Sequence, residues 1–200
     1  SIEEQFYLLF PIILIFLFKY FKKYIVFLLS LGLILSFLLC LSLAVKTSGN
    51  LNFYFTLSRA WELALGSIAA YYLFYNKFIL SKSFKNTFSL LGFFLILLPV
   101  FLFDKQTSYP SYFTLIPTIG TLFIIIFADE QTFIKKILST KILVGVGLIS
   151  YSFYLWHQPL LAFGRISFEN FSNQHKLFAI LIALILSYFS YNYIEKTFRN

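Results

Sequence analysis

The sequence predicts an all-α protein, a polytopic bundle of transmembrane helices, and three observations support this prediction. Apolar residues make up 60% of the 200 residues and charged residues only 12%, whereas a soluble domain carries about 25% charged residues. The mean hydropathy is +0.82. The apolar residues also come in long runs without strand alternation, as spanning helices require. Helices are expected because lipid offers no partner for an unpaired backbone N–H or C=O.

Seven runs are long enough to be considered as membrane spans. They cover residues 5–18, 24–45, 56–75, 87–103, 112–128, 142–164 and 177–194. The first run is short and contains Pro11, which removes one helical hydrogen bond. In the fifth run, Pro117-Thr118-Ile119-Gly120 predicts a break in the middle of the span. The connections are short throughout, so we expect a single domain over residues 1–200.

The distribution of cations predicts the orientation of these spans. Lysine and arginine cluster after the first, third, fifth and last runs, at Lys19, Lys22 and Lys23, at Lys77, Lys82 and Lys85, at Lys135, Lys136 and Lys141, and at Lys196 and Arg199. The positive-inside rule places these loops in the cytoplasm, which puts Ser1 outside and makes the C-terminus cytoplasmic. The formal net charge of +8 is divided among short loops. That distribution favours anionic lipid headgroups as partners and predicts no nucleic-acid site.

Two further features concern the limits of the chain and its cysteine content. The chain begins at Ser1 and contains no methionine, so we expect it to lack its true N-terminus. Its single cysteine, Cys40, lies inside an apolar run and predicts neither a disulfide framework nor a metal site. His175 falls in a predicted outer loop, and we assign it no role.

Polar residues inside apolar spans are costly and tend to be functional, and two such groups lie near predicted outer ends. Glu3, Glu4 and Gln5 with Tyr7 begin the first span, either as a solvated helix start or with one carboxylate facing the bundle. In the third span, the i, i+3 spacing of Arg59 and Glu62 lets them meet on one helix face. Trp61 lies between them, and Gly66, one turn beyond Glu62, leaves room for another helix or a substrate. A purely structural ion pair is the alternative.

Two further groups of polar residues lie in the sixth and seventh predicted spans. Helical spacing stacks Ser150, Tyr154 and His157 along one face of the sixth span, with Tyr151 and Gln158 beside it. This polar stripe predicts a lined cavity, although an aromatic belt and a hydrogen-bonded histidine would give a similar pattern. The segment 191–199 predicts an interfacial anchor without chemistry. These patterns alone do not separate an enzyme from a transporter.

At these residues the sequence resembles the acyltransferase-3 family of bacterial integral membrane O-acetyltransferases, the type that acetylates O-antigen and exopolysaccharide. Four motifs occur in the order and spacing of that family and cover essentially the whole chain. They are Ser1-Ile2-Glu3-Glu4-Gln5-Phe6-Tyr7, Arg59-Ala60-Trp61-Glu62 with Gly66, the segment 147–159 that ends in Trp156-His157-Gln158-Pro159, and Tyr193-Ile194-Glu195-Lys196-Thr197-Phe198-Arg199.

The resemblance implies a fold of about ten spans, of which the seven here form the C-terminal part. It also implies transfer of an acyl group, usually acetyl, from a cytoplasmic donor such as acetyl-CoA to a hydroxyl of a lipid-linked or cell-surface glycan, including lipopolysaccharide. The chain is then a multi-pass protein of the bacterial inner membrane and binds no cofactor. The catalytic histidine of the family lies in a span that has no counterpart in this chain, so the catalytic residue is unknown.

The resemblance leaves supporting roles for residues of this chain. Glu3 or Glu4 would position the base or the acceptor hydroxyl, and Arg59 and Glu62 would shape a substrate channel. The residues expected to contact substrate are Tyr7, Trp61, Tyr151, Tyr154 and His157. Two other interpretations stay open, a transporter or flippase with a polar path and a catalytically inactive fragment of the acyltransferase. A transporter predicts inverted repeats or broken helices at two corresponding places.

Overall fold

The computed structural model describes residues 2–46, 55–75, 80–104, 107, 109–168 and 172–198, without the side chains of residues 2–4 and 46. These residues form seven long helices. They are α1 (Ile2–Tyr20), α2 (Ile25–Lys46), α3 (Thr56–Tyr75), α4 (Lys82–Leu102), α5 (Leu115–Phe127), α7 (Lys141–Ser167) and α8 (Asn173–Ser190), with the short α6 (Phe133–Leu138) between the fifth and sixth long ones. The described residues contain no β-strand. The predicted all-α class and the positions of the seven helices are confirmed.

Three of these segments are long and apolar enough to cross a bilayer, namely Lys22–Val45, Lys82–Leu102 and Asn173–Phe198, and Gln5–Tyr20 and Tyr112–Phe127 are shorter apolar helices. The long helices α3 and α7 carry the polar motifs, which lowers their hydropathy. Large apolar side chains such as Ile12, Phe27 and Phe101 are exposed on the helix surfaces. Such a surface is what a helical membrane bundle presents to lipid.

Neither Pro11 nor Pro117 interrupts the helix in which it lies. Pro11 lies within α1, which continues on both sides of it. The prediction of a mid-span break at Pro117-Thr118-Ile119-Gly120 is wrong, because these residues belong to the continuous helix α5. Pro117 is the third residue of that helix. A proline in the first turn removes no intrahelical hydrogen bond, since that N–H has no partner within the helix.

The chain divides into two compact units, Ser1–Lys135 and Lys136–Asn200. In the first unit, α2 packs on α3, and α4 packs on α5. The contact between α2 and α3 is made by Ser36, whose hydroxyl donates to the carbonyl of Leu57 at 2.5 Å and accepts the backbone N–H of Trp61 at 3.0 Å. One serine of α2 is thereby inserted between a donor and an acceptor of the α3 backbone.

The packing of α4 on α5 depends on two glycines. A Cβ atom built on Gly92 would lie 2.7 Å from the carbonyl oxygen of Gly120, and one built on Gly120 would lie 2.8 Å from that of Gly92. The backbones approach this closely because neither residue has a side chain. Phenylalanine rings pack beside the crossing, with Phe88 5.4 Å from Phe123 and 5.2 Å from Phe127 between centroids.

Polar contacts join the start of α4 to the segment after α5. Lys85 Nζ lies 2.8 Å from Asp129 Oδ2, and Asn86 Oδ1 accepts the backbone N–H of Phe133 at 3.0 Å. The hydrogen bond from Lys85 lowers the pKa of Asp129 below its ordinary value. Because both side chains are partly exposed, the pair contributes modestly to stability.

In the second unit, α7 packs on α8, again through small residues. Ser152, Ala183 and Ser187 are all buried. α8 then continues through a π-helical turn, Tyr191–Glu195, into Lys196–Phe198. At its start, the backbone N–H of Ser172 lies 3.3 Å from Nδ1 of His175. His175 therefore takes part in the cap of α8, which its placement in a loop had not predicted.

Replacing Gly92 by alanine should destabilise the first unit, because the added methyl group meets the backbone of α5. We expect a loss of about 1–3 kcal/mol, as for other overpacked contacts, measured as a lower thermal midpoint of the purified protein in detergent. Gly32→Ala is the control, since a Cβ there meets nothing within 4 Å. Equal midpoints for the two variants would contradict the close crossing of α4 and α5.

The Lys85–Asp129 pair predicts a small pH dependence of stability. The pKa of Asp129 is lowered in the folded protein. The pair therefore contributes to stability above the ordinary aspartate pKa of about 4, and this contribution is lost as the pH falls through the folded pKa. Asp129→Asn should therefore cost on the order of 0.5 kcal/mol at neutral pH. The difference in thermal midpoint between the two proteins should shrink on acidification, and a difference that grew would contradict the lowered pKa.

Candidate functional site

The site is built around Arg59 and Glu62 near the start of α3. Arg59 Nε donates to Glu62 Oε1 at 3.2 Å and Nη2 donates to Oε2 at 2.9 Å. The side chains are only 19% and 18% exposed. The i, i+3 spacing thus produces the contact that it predicts. A two-point pair of this kind orients both groups and neutralises each charge where solvation is poor.

Tyr109 covers this ion pair from the connection between α4 and α5. The guanidinium carbon of Arg59 lies 5.7 Å from the centroid of its ring, which is within range for a cation–π contact. Burial raises the pKa of Tyr109, although the nearby Arg59 cation lowers it, and the net shift is upward. The phenol is therefore a neutral hydrogen-bonding group at physiological pH. The sequence carried no signal for this contact, because Tyr109 lies in a loop 50 residues after Arg59.

A cavity of about 360 Å³ adjoins the pair, and its wall combines polar and apolar side chains. Glu62 and Gly66 contribute from α3, and Thr114, Thr118 and Thr121 contribute from the start of α5 and the turn before it. Thr118 donates to the Thr114 carbonyl at 2.7 Å and Thr121 to the Pro117 carbonyl at 2.9 Å. With these protons engaged, the oxygen atoms remain able to accept hydrogen bonds.

Gly66 faces open space within this wall. A Cβ atom on Gly66 would meet nothing within 4 Å. No described helix approaches Gly66 closely, so the role that its position suggested in leaving space for a substrate stays a prediction. The cavity can hold and orient a small polar group beside the Glu62 carboxylate, whereas the described part of the wall contains no side chain placed as a free nucleophile or base.

Trp61 has a different environment from its neighbours in the motif. Its side chain is 0% exposed and packs edge-on against Phe37 of α2, with centroids 4.9 Å apart. Its indole Nε1–H has no acceptor among the residues that the structure describes. Trp61 therefore occupies a packing position between α2 and α3. Its expected contact with substrate stays a prediction.

The first motif lies close to the start of α3. Gln5 Oε1 accepts a hydrogen bond from the Thr56 hydroxyl, three residues before Arg59. The structure therefore brings the beginning of α1 to the Arg59–Glu62 end of α3. Tyr7 is 67% exposed. The backbone of Glu3 and Glu4 belongs to α1, but their side chains lie outside the described residues, so their predicted roles stay predictions.

The predicted polar stripe on α7 lies in the second unit. Tyr151 and Tyr154 are each about half exposed. Nδ1 of His157 lies 3.0 Å from the carbonyl of Phe153, on whose ring the imidazole stacks. Because a carbonyl only accepts, Nδ1 is the donor in this contact. The expected substrate contacts of Tyr151, Tyr154 and His157 stay predictions.

Sequence reasoning missed the polar contacts that join α7 to α8. The Ser152 hydroxyl donates to Glu195 Oε1 in the π-helical turn, and Trp156 Nε1 donates to Ser190 Oγ at 2.8 Å. Ser152 is buried and lies only two residues from the predicted stripe. The sequence signal for this contact is Glu195 itself, a charged residue at the end of an apolar helix. Its segment, 191–199, was interpreted only as an interfacial anchor. Single π-helical turns of this kind often occur at functional sites.

Ser152→Ala should destabilise the second unit, because it leaves the Glu195 carboxylate without this hydroxyl donor. We expect a loss of about 1–3 kcal/mol, measured as a lower thermal midpoint. Glu195→Gln keeps an acceptor oxygen and should change the midpoint much less. Ser150→Ala is the matched control, since Ser150 donates only within its own helix, to Gly147 at 2.7 Å. If the Ser150 and Ser152 variants lost equal stability, the Ser152–Glu195 contact would not hold the two helices.

Comparison with known proteins adds independent support for the family. The chain is 33% identical over 222 aligned residues to the O-acetyltransferase OatA of Staphylococcus aureus strain NCTC 8325 / PS 47, covering 100% of this chain and 35% of that protein. It is likewise 33% identical over 219 residues, with the same coverage, to a putative O-acetyltransferase of S. aureus strain COL. The chain therefore spans about a third of the length of these relatives. No solved structure matches it.

A sequence model of the family described as "Acyltransferase domain" matches residues 1–194, which is nearly the whole chain. This range includes the ion pair of α3, the polar cavity beside it and the stripe on α7. Together with the helical membrane fold, these findings show that the chain belongs to the acyltransferase-3 family.

Proposed function

We propose that this chain is part of a membrane O-acyltransferase that moves an acyl group, in the first instance acetyl, from a cytoplasmic acyl-CoA to a hydroxyl of a cell-surface or lipid-linked glycan. The observation that carries the proposal is the cavity beside Arg59 and Glu62, in a chain of the acyltransferase family. Its rim of carboxylate and threonine oxygens suits the hydrogen-bonding groups of a sugar.

In the proposed reaction, the sugar hydroxyl oxygen forms a bond to the thioester carbonyl carbon. A general base takes the hydroxyl proton, the carbon–sulfur bond breaks, and the proton passes to the leaving sulfur, so that CoA is released as its thiol. Transfer through a covalent acyl-enzyme is the alternative order. In either order of steps, the residues of this chain bind and orient the acceptor. Arg59 holds the Glu62 carboxylate at the wall of the cavity, and the ring of Tyr109 lies beside the guanidinium.

The proposed location is the bacterial cytoplasmic membrane, with the C-terminus in the cytoplasm. The alternation of lysine-rich and lysine-poor connections supports this orientation. The seven long helices lie at the positions of the seven predicted spans. The connections between them are therefore the segments whose charges the positive-inside rule compares. Acceptors such as O-antigen and other lipopolysaccharide sugars belong to the same proposal, as does the absence of a bound cofactor.

The transporter interpretation receives less support from the structure. It predicts inverted repeats or helices broken mid-span at two corresponding places, and the one segment that suggested a break is helical within α5. The polar groups of α3 are also paired with each other, whereas a translocation path needs polar groups that can exchange partners.

Loss of the ion pair should strongly reduce acyl transfer. In the full-length protein, Arg59→Ala and Glu62→Gln should each lower acetyl incorporation into glycan by at least about tenfold, roughly 1.4 kcal/mol of transition-state stabilisation. The readout is radiolabelled acetyl recovered covalently on the glycan. Lys85→Gln, which breaks a peripheral ion pair, should retain activity. Glu4→Gln tests the predicted role of the first motif in the same assay.

A buried charge left alone could also prevent folding, so a double variant separates the two effects. Replacing a buried ion pair by apolar residues of similar size is often neutral or stabilising. Arg59→Met/Glu62→Leu should therefore remain folded, as judged by a monodisperse elution profile, but inactive. Wild-type acetylation by this folded double variant would show that the pair is only structural and would overturn the site assignment.

A further inference from the structure

The polar side chains in the wall of the cavity beside Glu62 act mainly as hydrogen-bond acceptors. They are Glu62, Tyr109, Thr114, Thr118 and Thr121. Thr118 and Thr121 donate their hydroxyl protons to carbonyls one turn earlier, and Thr114 donates to the carbonyl of Ser111 at 2.6 Å. The threonine oxygens are therefore left as acceptors. Apart from the neutral Tyr109 phenol, the described side chains of the wall thus suit a ligand that brings its own donors.

The negative member of the ion pair lines the cavity, whereas the positive member does not. Glu62 belongs to the described wall and Arg59 does not. The guanidinium is bonded to both carboxylate oxygens of Glu62, and its carbon lies 5.7 Å from the centroid of the Tyr109 ring. A ligand that fills the cavity therefore contacts Glu62 directly and does not contact Arg59. Because electrostatic energy falls with distance, an anionic ligand loses more to Glu62 than it gains from Arg59.

The backbone at the start of α5 does not compensate with donors for an anion. A helix start usually attracts an anion, because its first N–H groups have no partner within the helix. Here the N–H of Thr114 bonds to the carbonyl of Ser111 at 3.1 Å, and the N–H of Leu115 bonds back to the carbonyl of Tyr112. Pro117 has no N–H. These three positions therefore offer no donor to an anion in the cavity.

The predicted orientation places the cavity on the side of the membrane where the acceptor lies. Glu62 is in the second turn of α3, and the charge pattern predicts that this end of α3 faces outward. The proposed donor, an acyl-CoA, is cytoplasmic and carries several phosphate groups. Both its location and its charge make it a poor match for this cavity.

We propose that Glu62 makes this cavity a charge-selective acceptor subsite, which takes sugars without a negative charge and discriminates against uronates and phosphorylated sugars. The inference rests on the proposed acyltransferase function and specifies which acceptor sugars the site takes. A neutral sugar brings hydroxyl donors to the carboxylate and threonine oxygens. An anionic sugar replaces a donor by a charged acceptor, which loses its water beside a second carboxylate. Selectivity therefore comes from a repulsive element as well as an attractive one.

The test compares the binding of three matched probes to the purified full-length protein by saturation-transfer NMR, in a neutral detergent and without acyl-CoA. The probes are methyl glucoside, methyl glucuronoside and the methyl ester of the glucuronoside, which differ only at the exocyclic carbon. At neutral pH the glucoside and the neutral ester should each bind at least about tenfold more tightly than the glucuronoside.

Three results would overturn the proposal. The first is equal binding of the glucoside and the glucuronoside, and the second is no binding of the glucoside. The third is weak binding of the neutral ester, which would show that the cavity distinguishes the size of the substituent and not its charge.

Removal of the carboxylate assigns the selectivity to Glu62. Glu62→Gln should bring the affinities for the glucoside and the glucuronoside to within about threefold of each other. Because this change leaves Arg59 without its partner, the neutral double variant Arg59→Gln/Glu62→Gln should lose the selectivity in the same way. Asp129→Asn is the control, since Asp129 is a carboxylate outside the described wall, and it should keep the wild-type preference. Weaker binding of both sugars in equal proportion by a monodisperse Glu62→Gln protein would indicate a purely structural role and would overturn the proposal.

Acetyl transfer by the wild-type protein distinguishes this inference from the function on which it rests. Equal transfer to the glucoside and the glucuronoside, with equal binding of both, would refute the charge selection and leave the acyltransferase standing. Charge-selective binding that depends on Glu62, without transfer to any acceptor, would support the selection and refute the acyltransferase.

Discussion

Close approach of helix backbones is the constraint on which the rest of this structure depends. A helix in lipid gains little from burying apolar side chains against a neighbour, because lipid tails are equally apolar. Contacts must therefore come from packing of small residues and from hydrogen bonds between helices. Gly92 and Gly120 supply the first kind at the crossing of α4 and α5. Ser36 supplies the second kind, by bonding to the backbone of α3 at two points.

The Ser36 contact also sets the position of the candidate site. Its two partners, Leu57 and Trp61, lie on either side of Arg59 along the same turn of α3. The side of α3 that carries Trp61 is thereby held against α2, where the indole packs on Phe37. Glu62 then faces the cavity shared with α5. A packing interaction between two helices in this way decides which side chain of the motif can meet a substrate.

Charged groups in the spanning helices find partners close to where they occur. Arg59 and Glu62 pair on one helix, whereas Glu195 accepts a hydrogen bond from Ser152 of the neighbouring helix. The first contact pairs opposite charges and the second gives a carboxylate a hydrogen-bond donor, which lowers the cost of these groups where solvation is poor. They also limit the chemistry available, because a carboxylate held by a guanidinium is a better orienting group than a base. The site on α3 is accordingly suited to binding and presenting an acceptor.

The amino-acid sequence by itself determined the class of the protein and the order of its helices. Long apolar runs admit only helices in lipid, so the sequence alone places seven long helices, and four motifs indicate the family. Local spacing was also sufficient for the Arg59–Glu62 pair, since residues three apart on a helix are neighbours. The expected break at Pro117 failed because the helix begins only two residues earlier, and helix boundaries are poorly specified by pattern alone.

Only the tertiary structure decided which residues from different helices meet. Tyr109 reaches Arg59 across 50 positions of sequence, and Ser152 reaches Glu195 across 43. The cavity beside Glu62 likewise needs residues of both α3 and α5. Periodicity along one helix identifies its faces but not the partner of each face, because many helix pairings bury the same apolar residues. Close contacts between small residues select one pairing among them, and with it the positions of the polar groups.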